Sequence, residues 1–254
     1  MILALDIGNT NIVIGGIENR KFVFRERIAT DLQKTEFEYT ALLMTMLQMH
    51  GIGDGQVTGA IISSVVPQVT EHIRMAICRT AGCEVMIVGP DMKTGLAIQM
   101  DHPEQVGRDL IVGAVAGCAQ FSLPLVVIDM GTATTLCVID GQKNYIGGMI
   151  IPGLGISIQA LSDRTAQLPH IDLTEPARLI GKNTVECMES GAMYGTASML
   201  DGMLDRIEGE IGGKITAVAT GGLAGSIIPL CRREITFDDD LLLRGLMILY
   251  EMNR

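Results

Sequence analysis

One near-repeat constrains this chain more than any other feature. Asp6-Ile7-Gly8-Asn9-Thr10-Asn11 closes an apolar run at 2–5, and Asp129-Met130-Gly131-Thr132-Ala133-Thr134 closes another at 125–128. Each is followed by a second apolar stretch (12–14; 136–139) and then a polar turn, Glu18-Asn19-Arg20-Lys21 or Asp140-Gly141-Gln142-Lys143. Strand, tight turn, strand, turn and strand therefore occurs twice. That is the pattern of a duplicated domain with two phosphate loops facing each other.

The residue types fit that chemistry. Glycine has no Cβ, so backbone N–H groups there can approach an anionic phosphate closely. Thr and Asn side chains donate hydrogen bonds to phosphate oxygens, and Asp holds a cation or its water shell. A lone Asp-x-Gly turn reads as an ordinary hairpin, whereas two in matching strand contexts point to an ATP clamp. A second echo supports duplication. Ala60-Ile61-Ile62-Ser63-Ser64 and Ala217-Val218-Ala219-Thr220-Gly221-Gly222 are apolar strands ending in small or polar residues, each downstream of its own loop. Taken alone, the Gly-Gly turn reads equally well as an ordinary strand-to-helix turn.

The length of 254 residues predicts two modest domains, 1–118 and 119–254. A hydrophobic share of 48% is ample for their cores. The net charge of −10, with no basic stripe to offset it, excludes an electrostatic nucleic-acid binder. Six cysteines show neither a Cys-x-x-Cys pair nor Cys/His ligand spacing, and no charged n-region precedes an apolar h-region. Reduced thiols in a cytoplasmic protein are expected. Residues 110–128 carry no charge and are long enough to span a bilayer. Gln120, Ser122 and Pro124 interrupt them, however, so a buried helix followed by a buried strand is expected, with no membrane partner.

Along the chain, residues 1–28 read as three strands and 35–50 as a helix opened by the capping-box pattern Thr35-x-x-Glu38. A strand follows at 57–66, a helix at 70–81 and a short strand at 85–88. Residues 89–107 form a Gly/Pro-punctuated stretch with little periodicity, and loops of this length inside compact domains are often functional. The stretch ends at Gly107-Arg108-Asp109, where an apolar helix begins. Asp109 thus lies near a helix N-terminus, which favours a carboxylate and is expected to lower its pKa. Further on come a strand at 145–151, helices at 157–166 and 185–210, and a last helix at 241–250. The helix at 185–210 carries a small-residue face of Gly191, Ala192, Gly195 and Ala197. The four histidines (His50, His72, His102, His170) show no ligand spacing and read as structural or surface residues.

Asp6-x-Gly8-Asn9-Thr10, His102-Pro103-Glu104-Gln105-Val106-Gly107-x-Asp109, Asp129-x-Gly131-Thr132-Ala133-Thr134, Gly147-Gly148-x-Ile150-x-Pro152-Gly153, Asn183-Thr184 and Thr220-Gly221-Gly222 occur in the order typical of type III pantothenate kinase. The chain resembles that family over essentially its whole length, and the full set is far more specific than any one motif. The resemblance implies the fold shared by acetate and sugar kinases, Hsp70 and actin. That is an α/β protein of duplicated actin-like, ribonuclease H-like domains, with mixed sheets flanked by helices. It also implies transfer of the γ-phosphate of ATP, as Mg-ATP, to the hydroxyl of pantothenate, which opens coenzyme A synthesis.

By position, Asp6, Ile7, Gly8, Asn9, Thr10, Asn11, Ile12 and Val13 would cradle the phosphates. Thr132 would add a contact, and Gly221 and Gly222 would face the adenosine side. Asp129 would bind a monovalent cation, K+ or NH4+, and Asp109 would accept the proton from pantothenate. Met100, Gly107, Arg108, Asp109 and Leu110 would line the acceptor pocket, and Thr184 would reach it across a homodimer interface. The family commonly reads Gly-x-Asp-Arg where this chain has Gly107-Arg108-Asp109-Leu110, and it commonly places Tyr where this chain has Met100. Both departures fall on the acceptor side. Two alternatives therefore stay open: a non-catalytic ATP-binding regulator descended from a kinase, or a kinase or phosphatase of the same superfamily acting on another small molecule.

Overall fold

Apolar runs that end in a carboxylate and a glycine form the central strands of two mixed sheets in the computed structural model, which describes residues 1–254. The chain divides into two units, Met1–Gly95 with His102–Ala116 and Leu241–Arg254, and Leu96–Asp101 with Gly117–Asp240. It passes from one unit to the other four times.

The first unit contains β1 (Ile2–Ile7), β2 (Asn11–Glu18), β3 (Lys21–Ala29), β4 (Gly59–Ser64) and β5 (Val85–Ile87), in the sheet order β3-β2-β1-β4-β5. The first three strands are antiparallel, and β4 and β5 run parallel to β1. Helices α1 (Glu36–Met49) and α2 (Pro67–Ala81) pack on each other and share one core with Leu3, Leu5, Ile7, Ile12 and Ile14. The expected capping box opens α1. Glu38 Oε2 accepts from the Thr35 N–H and hydroxyl, both at 2.8 Å, and the Glu38 N–H returns to Thr35 Oγ1 at 3.4 Å.

Helix α2 begins at Pro67, three residues before the expected start. Proline at the first helical position removes an N–H that the helix leaves unbonded anyway. The last helix, α7 (Leu241–Asn253), belongs to this first unit and packs on β1, β2 and β4. Its Leu243 lies where a Cβ on Gly15 would stand, and its Tyr250 ring occupies the corresponding space at Gly59.

The second unit repeats the scheme. Strands β7 (Leu125–Met130), β8 (Ala133–Ile139), β9 (Asn144–Pro152), β10 (Thr216–Thr220) and β11 (Thr236–Phe237) take the order β9-β8-β7-β10-β11. That order matches β3-β2-β1-β4-β5 strand for strand, with the same antiparallel hairpins and parallel crossovers. One extra edge strand, β6 (Ala97–Ile98), runs parallel to β9. Two-residue strands such as β6 and β11 carry no period-2 signal, so only their partners reveal them.

Helices α4 (Leu154–Asp163), α5 (Thr184–Ile211) and α6 (Ala224–Ile227) complete this unit, and residues from all three join Val126, Ile128, Met130 and Leu136 in its core. Helix α3 (Arg108–Gln120) starts in the first unit and ends in the second. The uncharged stretch at 110–128 is thus split between α3 and β7, and no helix is long and apolar enough to cross a membrane. All six cysteines are free thiols.

Candidate active site

The first Asp-x-Gly loop is the four-residue turn 8–11, closed by the ladder pair Ile7↔Ile12. Ile7 and Ile12 are buried in the core, so they can offer a ligand only backbone atoms; Asn9, Thr10 and Asn11 are exposed. The Gly8 N–H donates to the Asn11 carbonyl at 3.0 Å and closes the turn. A Cβ on Gly8 would stand 3.2 Å from that same carbonyl oxygen, a close fit. Thr30, just past β3, braces the loop from behind. Its hydroxyl donates to the Gly8 carbonyl at 2.6 Å and its N–H to the Thr10 carbonyl at 2.9 Å. The loop is therefore shaped by its own chain, with Asn9, Thr10 and Asn11 at its tip.

The second loop is one residue shorter. Its last ladder pair is Met130↔Thr134, and the Gly131 N–H donates to the Ala133 carbonyl at 3.0 Å. Thr132 is exposed at the tip. Behind it, the Gly153 N–H donates to the Thr132 carbonyl at 3.1 Å, and a Cβ on Gly153 would lie 2.6 Å from the Gly131 oxygen. Gly221, after β10, has φ +97°, a conformation that L side chains rarely adopt. A Cβ there would stand 2.7 Å from Asp129 Oδ1 and from the Met130 nitrogen, so the Gly221 turn lies directly on the second loop and its carboxylate. A half-buried carboxylate with backbone packed against it is a hard-oxygen environment, the kind that suits a hard cation.

The Gly/Pro-punctuated stretch at 89–107 is tied down at two points. Within the first unit, the Asn253 amide bonds both backbone groups of Lys93, accepting from its N–H at 2.8 Å and donating to its carbonyl at 2.9 Å. Within the second, β6 pairs with β9, and the Gln99 N–H reaches the Tyr145 carbonyl at 2.8 Å. Met100 follows in that unit, and Gly107 to Leu110 belong to the first.

Asp109 is the second residue of α3, and its Oδ1 accepts from the Leu110 N–H at 2.9 Å. The same oxygen would be 2.6 Å from a Cβ on Gly107, which is why a glycine precedes it. Burial pushes the Asp109 carboxyl above the ordinary aspartate value, and the N–H donors of Leu110 and of Asp109 itself only partly oppose it. The expected fall is thus corrected to a rise, because desolvation outweighs the helix N-terminus. Arg108 is exposed, whereas Leu110 is half-buried against Gly107.

Thr184 is the first residue of α5 and exposed, and its neighbour Asn183 caps the helix by accepting the Glu186 N–H at 2.9 Å. It borders a groove of about 520 Å³ whose lining includes Leu161 of α4 and Met188, Gly191 and Gly195 of α5. The bracing residues Thr30 and Asn253 went unnoticed in the sequence. Each acts on a segment distant along the chain and leaves no local pattern.

The comparisons with known proteins speak to family and fold. The profile of the family described as type III pantothenate kinase matches residues 2–206. A type III pantothenate kinase from Moorella thermoacetica is 42% identical over 253 residues, covering 100% of both chains. Among solved structures, a ROK hexokinase from Thermus thermophilus aligns with a TM-score of 0.52 at 13% identity, over 98% of this chain and 97% of that one. An archaeal actin homolog aligns with a TM-score of 0.51 at 13% identity, over 98% of this chain and 99% of that one. At such identities the structural likeness speaks for the fold alone, an actin-like α/β architecture, as the sequence implied. Family profile and full-length relative agree, and the chain belongs to the type III pantothenate kinase family.

Proposed function

We propose that this protein is a phosphotransferase that moves the γ-phosphoryl group of Mg-ATP to the hydroxyl of pantothenate, the step that opens coenzyme A synthesis. The observation that carries this reading is the half-buried Asp109 carboxyl at the start of α3, in a chain whose two sheets each end in an Asp-x-Gly hairpin. Asn9, Thr10 and Asn11 present donors to the phosphates, Thr132 adds one more, and Gly221 and Gly222 give the adenosine side close access to backbone. Asp6 would hold the water shell of Mg2+, which when bound would neutralise phosphate charge, and Asp129 would hold K+ or NH4+.

Asp109 accepts the hydroxyl proton as the pantothenate oxygen bonds to the γ-phosphorus. The bond from that phosphorus to the bridging oxygen breaks, and ADP leaves. Phosphoryl transfer has a loose transition state, so orienting the hydroxyl matters as much as taking its proton. A carboxyl raised above its ordinary value is also a stronger base, closer to the working pH. A coupled assay of ADP release tests the proposal. Release that depends on pantothenate supports it. ATP binding without pantothenate-dependent release would favour the regulator or another acceptor, the readings to which Leu110 lends weight.

Two further expectations follow from the residue roles. Asp6→Ala and Thr132→Ala should each weaken binding of a non-hydrolysable Mg-ATP analogue by about 10- to 150-fold, the range for losing a hydrogen bond to a charged group. Calorimetry that finds both variants unchanged would remove the phosphate clamp.

We also place the active unit as a homodimer in the cytoplasm, where six free thiols remain reduced. The dimer reading is supported by the apolar groove beside Thr184 and by exposed Ile150, Ile156, Leu161 and Val185 in the same unit. Thr184→Ala should raise the pantothenate KM and leave the ATP KM unchanged. An active monomer in light scattering at assay concentration would rule the shared pocket out.

A further inference from the structure

Two buried side-chain hydroxyls have no hydrogen-bond partner in the protein, Ser63 Oγ and Thr135 Oγ1. Their places coincide with the two loops. Ser63 is the β4 residue in register with Asp6, and Thr135 is the β8 residue in register with Asp129. Residues paired in this way point to the same face of a sheet, with Cβ atoms about 4.5–5.5 Å apart in antiparallel pairs. Each orphaned hydroxyl thus lies on the face of its loop aspartate, one strand away.

The coincidence is not a symmetry imposed by duplication. In the first unit the hydroxyl comes from the parallel neighbour and in the second from the antiparallel one. The same strand end shows how readily a nearby partner is taken. Ser64 Oγ, one residue on, accepts from the Val66 N–H at 3.0 Å and from the Thr70 hydroxyl at 2.6 Å. A buried hydroxyl left without a partner costs stability, and such groups call for an explanation in bound water or an ion.

We propose that Ser63 and Thr135 are positioning residues of the two loops. Thr135 orients the Asp129 carboxylate toward a hard monovalent cation, directly or through one water. Ser63 does the same for Asp6 and the water shell of the Mg-nucleotide. The inference rests on the function proposed above and adds two side chains to it. Partners that orient ligating carboxylates typically change metal affinity 10- to 100-fold when removed.

The test uses the whole protein and does not depend on turnover. The rise in melting temperature on titrating KCl reads the cation site, and calorimetry with a non-hydrolysable Mg-ATP analogue reads the first loop. Thr135→Val keeps the shape and removes the hydroxyl. It should raise the KCl midpoint about 10-fold or more, while Thr135→Ser returns it toward the parent value. Ser63→Ala should weaken the analogue about 10-fold, with Ser63→Cys as the volume-preserving alternative should the smaller residue fail to fold. The opposite outcome is equally distinct. Variants that melt higher than the parent, with unchanged KCl and nucleotide dependence, would mean the hydroxyls are merely unpaired, and the inference falls alone. A parent protein that responds to neither KCl nor nucleotide would overturn the proposed function and this inference with it.

Discussion

Asp109→Asn is expected to lower kcat about 100- to 10,000-fold, the usual contribution of a general base, while Mg-ATP binding persists. It should also raise the melting temperature at neutral pH. The folded protein holds the Asp109 carboxyl above its ordinary value because burial disfavours the charge. Stability linked to the neutral form is therefore fully present below the unfolded pKa and is lost as pH rises through the folded one. At neutral pH the charged carboxylate is a burden that an amide of the same shape removes. The gain in melting temperature should shrink as pH falls toward the ordinary aspartate range. The acid limb of the parent's rate profile should lie above that range and disappear in the variant. Parallel melting curves and pH–rate profiles of the two proteins check both halves. Near-parental turnover would move the base elsewhere, and unchanged melting at every pH would show that the carboxyl is not desolvated.

Leu110→Arg should lower the pantothenate KM by about 10- to 150-fold with little change for ATP. An Arg on a carboxylate makes a charge-assisted, often bidentate contact. Such a bond is worth roughly 1.5–3 kcal/mol, at 1.4 kcal/mol per decade. Leu110 cannot supply it. Its side chain lies half-buried over Gly107 beside Asp109, so an Arg stem can follow the same path and carry its head group past it. Arg108, the first residue of α3, is exposed. Steady-state kinetics on Leu110→Arg and Arg108→Ala decide between them. If the first gains nothing and the second abolishes pantothenate use, Arg108 is the carboxylate anchor. If neither the parent nor Leu110→Arg phosphorylates pantothenate, the acceptor is a different molecule or the chain is a regulator.

The two predictions differ in how far the sequence alone could carry them. Leu110 is visible as a departure from Gly-x-Asp-Arg by reading residues in order. The direction of the Asp109 shift is not. A helix N-terminus is a local feature and pointed downward, whereas burial depends on the folded surroundings and raises the carboxyl. Gly8 teaches the same lesson at shorter range. Its type marks a turn, and the structure adds that its N–H closes that turn onto Asn11, with Asn9 to Asn11 exposed at the tip.

The sequence by itself determined the features that a few neighbouring residues decide. Thr35 and Glu38 capped α1, and two Asp-x-Gly turns ended β1 and β7. These devices act over one turn of chain, so local chemistry specifies them completely. Only the tertiary structure decided that α7 joins the first unit, that Asn253 holds Lys93, and that Ser63 and Thr135 stand unpaired beside the loop aspartates. Each of these depends on which surfaces meet in the fold and which polar groups they leave dry, and no sequence period encodes that.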